Sequence, residues 1–169
     1  MATKKKASRR SKPALDKELL AAHKAYEDAI NSNDVDRIMA MYDADAAQIP
    51  PDAPWTNGRA ELRAACAAYF KQYQTTWTKV VHQNWVCGDF GFDQGIDTAV
   101  DVPRDGKGPT IHWNCQGILI YKRQADGRWL VFRDIWNNIS EPTYSSSGRI
   151  ALSVQLTAAP KTLARPTGG

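Results

Sequence analysis

The spacing of apolar residues changes near residue 75, and this change limits the folds that the chain can adopt. Before that point, apolar side chains recur every three or four residues, which is typical of amphipathic helices. After it, β-branched and aromatic residues alternate with polar ones, as they do in half-buried strands. Helices followed by a long run of strands predict an α+β fold, with the helices packed on one face of a curved, mainly antiparallel sheet.

Three helices are predicted in the first part of the chain. The first covers 15–31, and the second begins after Asp34, a good N-cap residue, and ends near Tyr42. The third begins at Asn57 or Gly58. Between the second and third helices, the pattern predicts a short strand over 46–49 and a loop over the proline-rich stretch that follows.

Four strands are predicted in the second part. They cover 76–86, 90–102, 110–123 and 128–138, and a tight hairpin joins the last two. After Pro142 the composition turns to Ser, Thr, Ala, Pro and Gly, and the pattern favours at most one edge strand over 150–156.

The distribution of charge separates the first 14 residues from the rest of the chain. Residues 1–14 carry six Lys or Arg and no acid, whereas 15–144 carry 13 Lys or Arg against 18 Asp or Glu. A basic run without aromatic residues for base stacking is typical of a solvated tail, with weak attraction to nucleic acid or an anionic surface as the alternative. We therefore predict a disordered tail over 1–14, one domain over 15–142, an extension over 143–169, and no nucleic-acid partner.

Several classes of protein are disfavoured by what the sequence lacks. The basic start is not followed by an apolar run of signal-peptide length, and no stretch approaches transmembrane length, so we expect a cytoplasmic protein without a membrane partner. Its three Cys and three His show no metal-ligand or redox spacing, so we expect no metal and no cofactor.

A polar strip on the last two predicted strands is the candidate site. Alternation places Asp134 between Phe132 and Trp136 on one face of the last strand. On the strand before it, three polar side chains share a face: His112, Asn114 and Gln116. If both sets face the same way, Asp134 pairs near Gln116 or Ile118, and Asn114 lies beside Trp136.

Asp134 is the leading acid–base candidate, because a carboxylate between two aromatic side chains is desolvated, which raises its pKa. The alternative is a structural carboxylate that pairs with Arg59 or Arg63. His112 is a second candidate base, or else a solvent-facing histidine at a strand end.

The other candidates would bind or orient a ligand. Tyr26 is either an oxyanion donor or a core tyrosine, and Trp55 is either a lid that stacks on a ligand or a packing residue. Asn114 and Gln116 would orient a ligand, since amides do not titrate. Phe132 and Trp136 would supply the apolar floor.

The order of several motifs resembles the SnoaL-like branch of the nuclear-transport-factor-2-like superfamily, which includes ketosteroid isomerase, scytalone dehydratase and polyketide cyclases. The residues that carry the resemblance are 33–36, 38–42, 45–46, 55–62, 117–123, 126–129 and 133–137. The resemblance covers about 15–138. It implies a cone-shaped fold with a ligand pocket and a homodimer through the outer sheet face, which Trp129, Val131 and Ile135 would suit.

The resemblance does not imply ketosteroid isomerase activity. That enzyme needs a carboxylate base and two oxyanion donors, one a tyrosine and one a protonated acid. The matching positions here hold Tyr26, Pro50 and Ile118, so two of the three groups are missing. Asp52 would replace the base only if the proline loop folded back over the pocket.

The remaining chemistry is proton transfer on a small, mostly apolar molecule. The sequence contains no serine-nucleophile arrangement, phosphate-binding glycine loop or metal motif. We therefore expect a cofactor-free enzyme that isomerises, cyclises or dehydrates its substrate or opens an epoxide. The alternative is a non-catalytic module of the same fold that binds a small ligand or dimerises, because two of the family's catalytic positions are lost.

Overall fold

The structure is a computed structural model that describes residues 14–51 and 53–145. The basic tail predicted over 1–14, apart from Ala14, lies outside the described residues. So do Asp52 and the edge strand predicted over 150–156.

The three predicted helices are confirmed. They are α1 (Lys17–Asn31), α2 (Val35–Met39) and α3 (Gly58–Gln72). Asp16 caps α1 by accepting a hydrogen bond from the Leu19 amide at 3.0 Å. Asp34 caps α2 as predicted, since its carboxylate accepts from the first amides of that helix.

The second half of the chain forms long strands, as predicted. The described strands are β1 (Tyr42–Ile49), β2 (Thr56–Asn57), β3 (Tyr73–Cys87), β4 (Phe90–Pro103), β5 (Thr110–Arg123), β6 (Trp129–Asn138) and β7 (Thr143–Ser145). They form one sheet in the order β2-β1-β6-β5-β4-β3, and β7 pairs with β5. All described pairs are antiparallel except β1 with β6, which is parallel.

Three elements differ from the prediction, and one of them is β2, a two-residue strand that was not predicted. Tyr42, expected near the end of the second helix, begins β1, because α2 ends at Met39 and Tyr42 pairs with Val131 across the sheet. The short strand β7 was not predicted. It forms because Thr143–Ser145 pairs antiparallel with the start of β5.

The core lies between the helices and the concave face of the sheet. Apolar side chains from α1 and α2 are fully buried there, together with inward side chains of β5 and β6: Leu19, Ile38, Met39, Leu119, Tyr121 and Val131. The rest of the concave face borders a cavity, which is lined by side chains of the sheet and of the helices.

A β-bulge at Phe132 changes which side chains of β6 face inward. Val131 pairs with Tyr121 and Arg133 pairs with Ile120, so Phe132 is the extra residue. The guanidinium of Arg133 lies 3.6 Å from the Phe132 ring centroid, which places both side chains on the outer face. The prediction that Phe132 faces inward with Asp134 is therefore wrong.

The facing of β5 was also predicted wrongly. Asp134 pairs with Leu119 and Trp136 pairs with Gly117, rather than with Gln116, Ile118 or Asn114. A shift of one residue moves every side chain to the opposite face. Consequently the polar set on β5 points outward: His112, Asn114, Gln116.

Candidate functional site

A cavity of about 560 Å³ lies between the helices and the concave face of the sheet. Its walls are largely aromatic, with rings contributed by two helices and four strands: Tyr26, Tyr42, Tyr69, Phe70, Trp77, Trp113 and Trp136. A cavity of this size, mostly apolar and with few polar groups, is typical of a small-molecule site.

Asp134 is the polar centre of this cavity. The Tyr26 hydroxyl donates a hydrogen bond to Asp134 Oδ2 at 2.9 Å, and the Tyr42 hydroxyl lies 2.5 Å from that of Tyr26. Gln48 Nε2 donates to the Tyr42 hydroxyl at 2.8 Å. These contacts form a hydrogen-bonded chain from Gln48 through Tyr42 and Tyr26 to the carboxylate, and the Tyr42 hydroxyl also lies 3.4 Å from Asp134 Oδ2.

Three elements bring this chain together. Tyr26 lies on the buried stripe of α1, where side chains three and four residues apart share a face. Tyr42 and Gln48 come from β1, whose parallel pairing with β6 sets Gln48 beside Asp134. The bulge at Phe132 then turns Asp134 inward.

Burial sets the ionisation of these groups. It raises the pKa of Asp134, against the opposing effects of the Lys79 charge and the hydrogen bond from Tyr26. Burial, reinforced by the neighbouring Asp134 carboxylate, also raises the pKa values of Tyr26 and Tyr42 well above their usual value. The carboxyl group is therefore suited to accept a proton, whereas the tyrosines stay protonated and act as donors.

A second carboxyl group, Asp97 of β4, lines the same cavity. Its Oδ1 atom lies 3.6 Å from Lys79 Nζ, and the same ammonium lies 3.3 Å from Asp93 Oδ1. Asp93 also accepts hydrogen bonds from the Tyr121 hydroxyl at 2.8 Å and contacts His23 Nδ1 at 3.2 Å. The cavity is therefore backed by a buried cluster of charged groups.

The two cysteines of the cavity are not suited to nucleophilic chemistry. Burial raises the pKa values of Cys66 and Cys115 to about 11, and nearby carboxylates add to the effect. A thiol that stays protonated near neutral pH is a poor nucleophile.

The structure brings three of the predicted site residues together: Asp134, Tyr26 and Trp136 line the cavity. Asp134 is not paired with an arginine, since its contacts are with tyrosines and Arg63 pairs with Asp36 at 2.6 Å.

The other predicted site residues lie elsewhere. His112 Nε2 lies 3.0 Å from Ser145 Oγ on β7, away from the cavity lining. Trp55 is 61% exposed and does not line the cavity. The remaining three are on the outer face for the reasons given above: Asn114, Gln116 and Phe132.

Four polar groups of the site were missed from the sequence: Tyr42, Gln48, Asp97 and Lys79. A signal existed for one of them. Asp93, Asp97 and Asp101 recur every four residues on β4, so they share one face, and that face is buried. Three carboxyl groups on the buried face of a strand require partners and thus mark a polar site.

The described residues contain neither a metal-binding cluster nor a membrane-spanning helix. Among residues 14–51 and 53–145, no three His, Cys, Asp or Glu side chains converge in a way that could hold a metal ion. None of the helices in these ranges is both long and apolar enough to span a membrane.

Three helices packed on a curved, mainly antiparallel sheet around an aromatic cavity define the nuclear-transport-factor-2-like class of folds. The chain belongs to the SnoaL-like domain family, whose model matches residues 23–132. No curated protein matches it in sequence. The resemblance inferred from the motifs is therefore confirmed.

Solved structures agree with this fold. A ketosteroid isomerase-like protein from Erwinia carotovora atroseptica is 21% identical with a TM-score of 0.64, covering 73% of this chain and 95% of that one. A candidate scytalone dehydratase from Novosphingobium aromaticivorans is 13% identical with a TM-score of 0.66, covering 78% and 92%. A candidate dehydratase of the NTF2-like family from Streptomyces avermitilis is 16% identical with a TM-score of 0.61, covering 73% and 94%. At these identities the likeness concerns the fold.

Proposed function

We propose that the protein is a cofactor-free enzyme that moves protons on a small, mostly apolar molecule, as isomerases, cyclases and dehydratases do. The observation that supports this most is the half-buried Asp134 carboxyl group, which receives a hydrogen bond from Tyr26 inside an aromatic cavity. Asp134 would act as the base, and once it carries the substrate proton the Tyr26 hydroxyl would be free to stabilise negative charge on a substrate oxygen.

The proposed catalytic residues lie at other positions than those of ketosteroid isomerase. Pro50 lines the cavity where that enzyme has its base, and Ile118 lies on the outer face. Neither position offers an ionisable group, so the proton acceptor proposed here lies on the last long strand instead. Candidate dehydratases among the similar folds are compatible with such a base.

The test is proton exchange on an enolisable apolar ketone, with 2-tetralone as the probe. Incubation with the protein in D₂O would replace the α-hydrogens by deuterium, measured by ¹H NMR. We expect Asp134→Asn to lower the catalysed rate by roughly 10²–10⁴-fold. Asp126→Asn, the same change in an exposed hairpin, is the matched control and should behave as the wild type.

A binding module of the same fold is the second candidate, and the inert thiols and largely apolar walls of the cavity favour it. Binding of 2-tetralone would quench the fluorescence of the three cavity tryptophans without any exchange. That outcome would replace the catalytic proposal with ligand binding.

A homodimer through the outer sheet face is also proposed, with revised contacts. Trp129 and Val131, which were expected to form the interface, are buried in the core. Ile135 and Ile118 pair across β6 and β5 on the outer face and are better candidates. Sedimentation of the wild type and of Ile118→Glu would test this.

A further inference from the structure

The second carboxyl group of the cavity has no role in the function described so far. Asp97 lies on β4, is only 6% exposed and lines the cavity that contains Asp134. A Cβ atom added to Gly117 would lie 3.0 Å from Asp97 Oδ2, so the glycine leaves room for this carboxyl group. A buried carboxyl group that faces a cavity is costly unless it is paired or protonated.

The charges around the cavity do not balance if every carboxyl group is ionised. Lys79 is the one buried Lys or Arg among the described residues, and it faces Asp93, Asp97 and, further away, Asp134. One ammonium cannot neutralise the buried carboxylates of Asp93 and Asp97 and the half-buried carboxylate of Asp134 together.

Asp93 interacts more strongly with the Lys79 ammonium than Asp97 does. Its distance to Lys79 is the shorter of the two, and it also receives the Tyr121 hydroxyl and contacts His23. These partners lower the pKa of Asp93 although burial opposes them. Asp97 has Lys79 at 3.6 Å and receives neither a hydroxyl nor an imidazole; its Oδ1 atom, like that of Asp93, makes no hydrogen bond.

The groups that face Asp97 come from its own strand, from the two strands beside it and from β6. Lys79 lies on β3, Asp93 on β4, Cys115 on β5 and Asp134 on β6. Burial raises the pKa of Asp97 to about 7, and the two carboxylates add to this while Lys79 opposes it. Asp97 thus retains a proton under conditions in which an ordinary aspartate has lost it.

We propose that Asp97 is the proton donor of the cavity and works as a pair with Asp134, the proton acceptor. This rests on the proposed function and adds a substrate class, an apolar molecule with an enolisable carbonyl group. Asp134 takes a proton from the α-carbon, and the electrons of that C–H bond form a C=C bond. The carbonyl π electrons move to oxygen, which takes the proton of Asp97, and the product is an enol. In the reverse steps Asp134 returns a proton to the same carbon and Asp97 recovers its proton from the enol oxygen, which restores the carbonyl compound and both groups; in D₂O this exchanges the α-hydrogen.

The ionisation of Asp97 is testable without any substrate. The full chain is labelled with [γ-¹³C]aspartate, titrated by NMR, and assigned with Asp97→Asn and Asp134→Asn. We expect the Asp97 signal to titrate near pH 7, and its midpoint to fall in Asp134→Asn because a neighbouring negative charge is removed. A midpoint below about 5, or one unaffected by Asp134→Asn, would overturn the proposal.

Exchange of 2-tetralone in D₂O separates this proposal from the proposed function. We expect Asp97→Asn to lower the rate by roughly 10²-fold, with Asp126→Asn as the unaffected control. Loss of exchange in Asp134→Asn with normal exchange in Asp97→Asn would overturn the donor role alone. Normal exchange in Asp134→Asn would instead reject the proposed function. If the wild type does not exchange the probe, the NMR titration decides whether Asp97 holds a proton.

Discussion

The Tyr26 hydroxyl makes the shorter hydrogen bond to Asp134 Oδ2, at 2.9 Å, whereas the Tyr42 hydroxyl lies 3.4 Å from the same oxygen and 2.5 Å from the Tyr26 hydroxyl. We expect Tyr26→Phe to lower the exchange rate by roughly 10²–10³-fold, as the loss of one oxyanion donor does. It should also raise the pKa of Asp134 further, since the lost hydrogen bond favours the carboxylate. Tyr42→Phe should lower the rate only about tenfold, because the direct donor remains. A larger loss in Tyr42→Phe, measured as kcat at saturating 2-tetralone, would contradict this order.

Asp101 holds the sheet to α3 below the cavity. Its buried carboxylate accepts hydrogen bonds from Thr75 Oγ1 and Trp113 Nε1, each at 2.6 Å, and from the Tyr69 hydroxyl. We expect Asp101→Asn to lower the free energy of unfolding by about 2–4 kcal/mol, because an amide nitrogen would face a donor. Urea denaturation measures this. Asp105→Asn in the exposed turn after β4 is the control, and equal losses in both variants would argue against the role of Asp101.

At the scale of elements, local patterns predicted the helices and the long strands but not how neighbouring strands pair. Apolar spacing within α1 was enough to place Tyr26 on its buried stripe. The bulge at Phe132 and the pairing of Leu119 with Asp134 depend on two strands at once, and neither strand alone encodes them. Asp134 was therefore correctly predicted to face inward, although the strict alternation used to place it did not hold.

Phe132 and Trp136 provide a matched test of this bulge. Both are aromatic residues of β6, but only Trp136 lines the cavity. We expect Trp136→Ala to weaken 2-tetralone binding by roughly tenfold or more through lost aromatic contact. Phe132→Ala should leave the dissociation constant unchanged, because its ring packs on Phe90 and Arg133 instead. Equal effects in a fluorescence titration would mean that the bulge is misplaced.

At the scale of the whole molecule, the site joins residues that are far apart in the sequence. Tyr26, Tyr42, Asp97 and Asp134 come from four elements, and only their packing brings them into one cavity. This explains why the sequence predicted the fold and three of the residues that line the cavity but missed Asp97. Its partner Lys79 lies on another strand, and no local motif connects the two.

The buried carboxyl groups should make stability depend on pH. Because the pKa of Asp97 is raised, the folded protein holds a proton that the unfolded chain releases, so the contribution of Asp97 to stability is greatest at low pH and falls as pH rises from about 4 to 7. Raising this pKa from 3.8 to about 7 corresponds to about 4 kcal/mol at pH 8.

Asp97→Asn should remove most of this dependence. We expect the variant to be more stable than the wild type at both pH 5 and pH 8, and by a larger margin at pH 8. Urea denaturation at the two pH values measures this. An equal difference at the two pH values would show that Asp97 does not retain a proton in the folded protein.

The central claim, that Asp134 is the base of the cavity, is tested most directly by the pH dependence of 2-tetralone exchange. A base acts when ionised, so the rate should rise with pH, and the midpoint of the rise should lie above the ordinary value of 3.8 because burial raises the pKa of Asp134. Above about pH 7 the rate should fall again, because the proposed donor Asp97 loses its proton there. Tyr26→Phe should move the midpoint higher still, and Asp134→Asn should abolish the rise. A catalysed rate with the same pH profile in wild type and Asp134→Asn would contradict the claim.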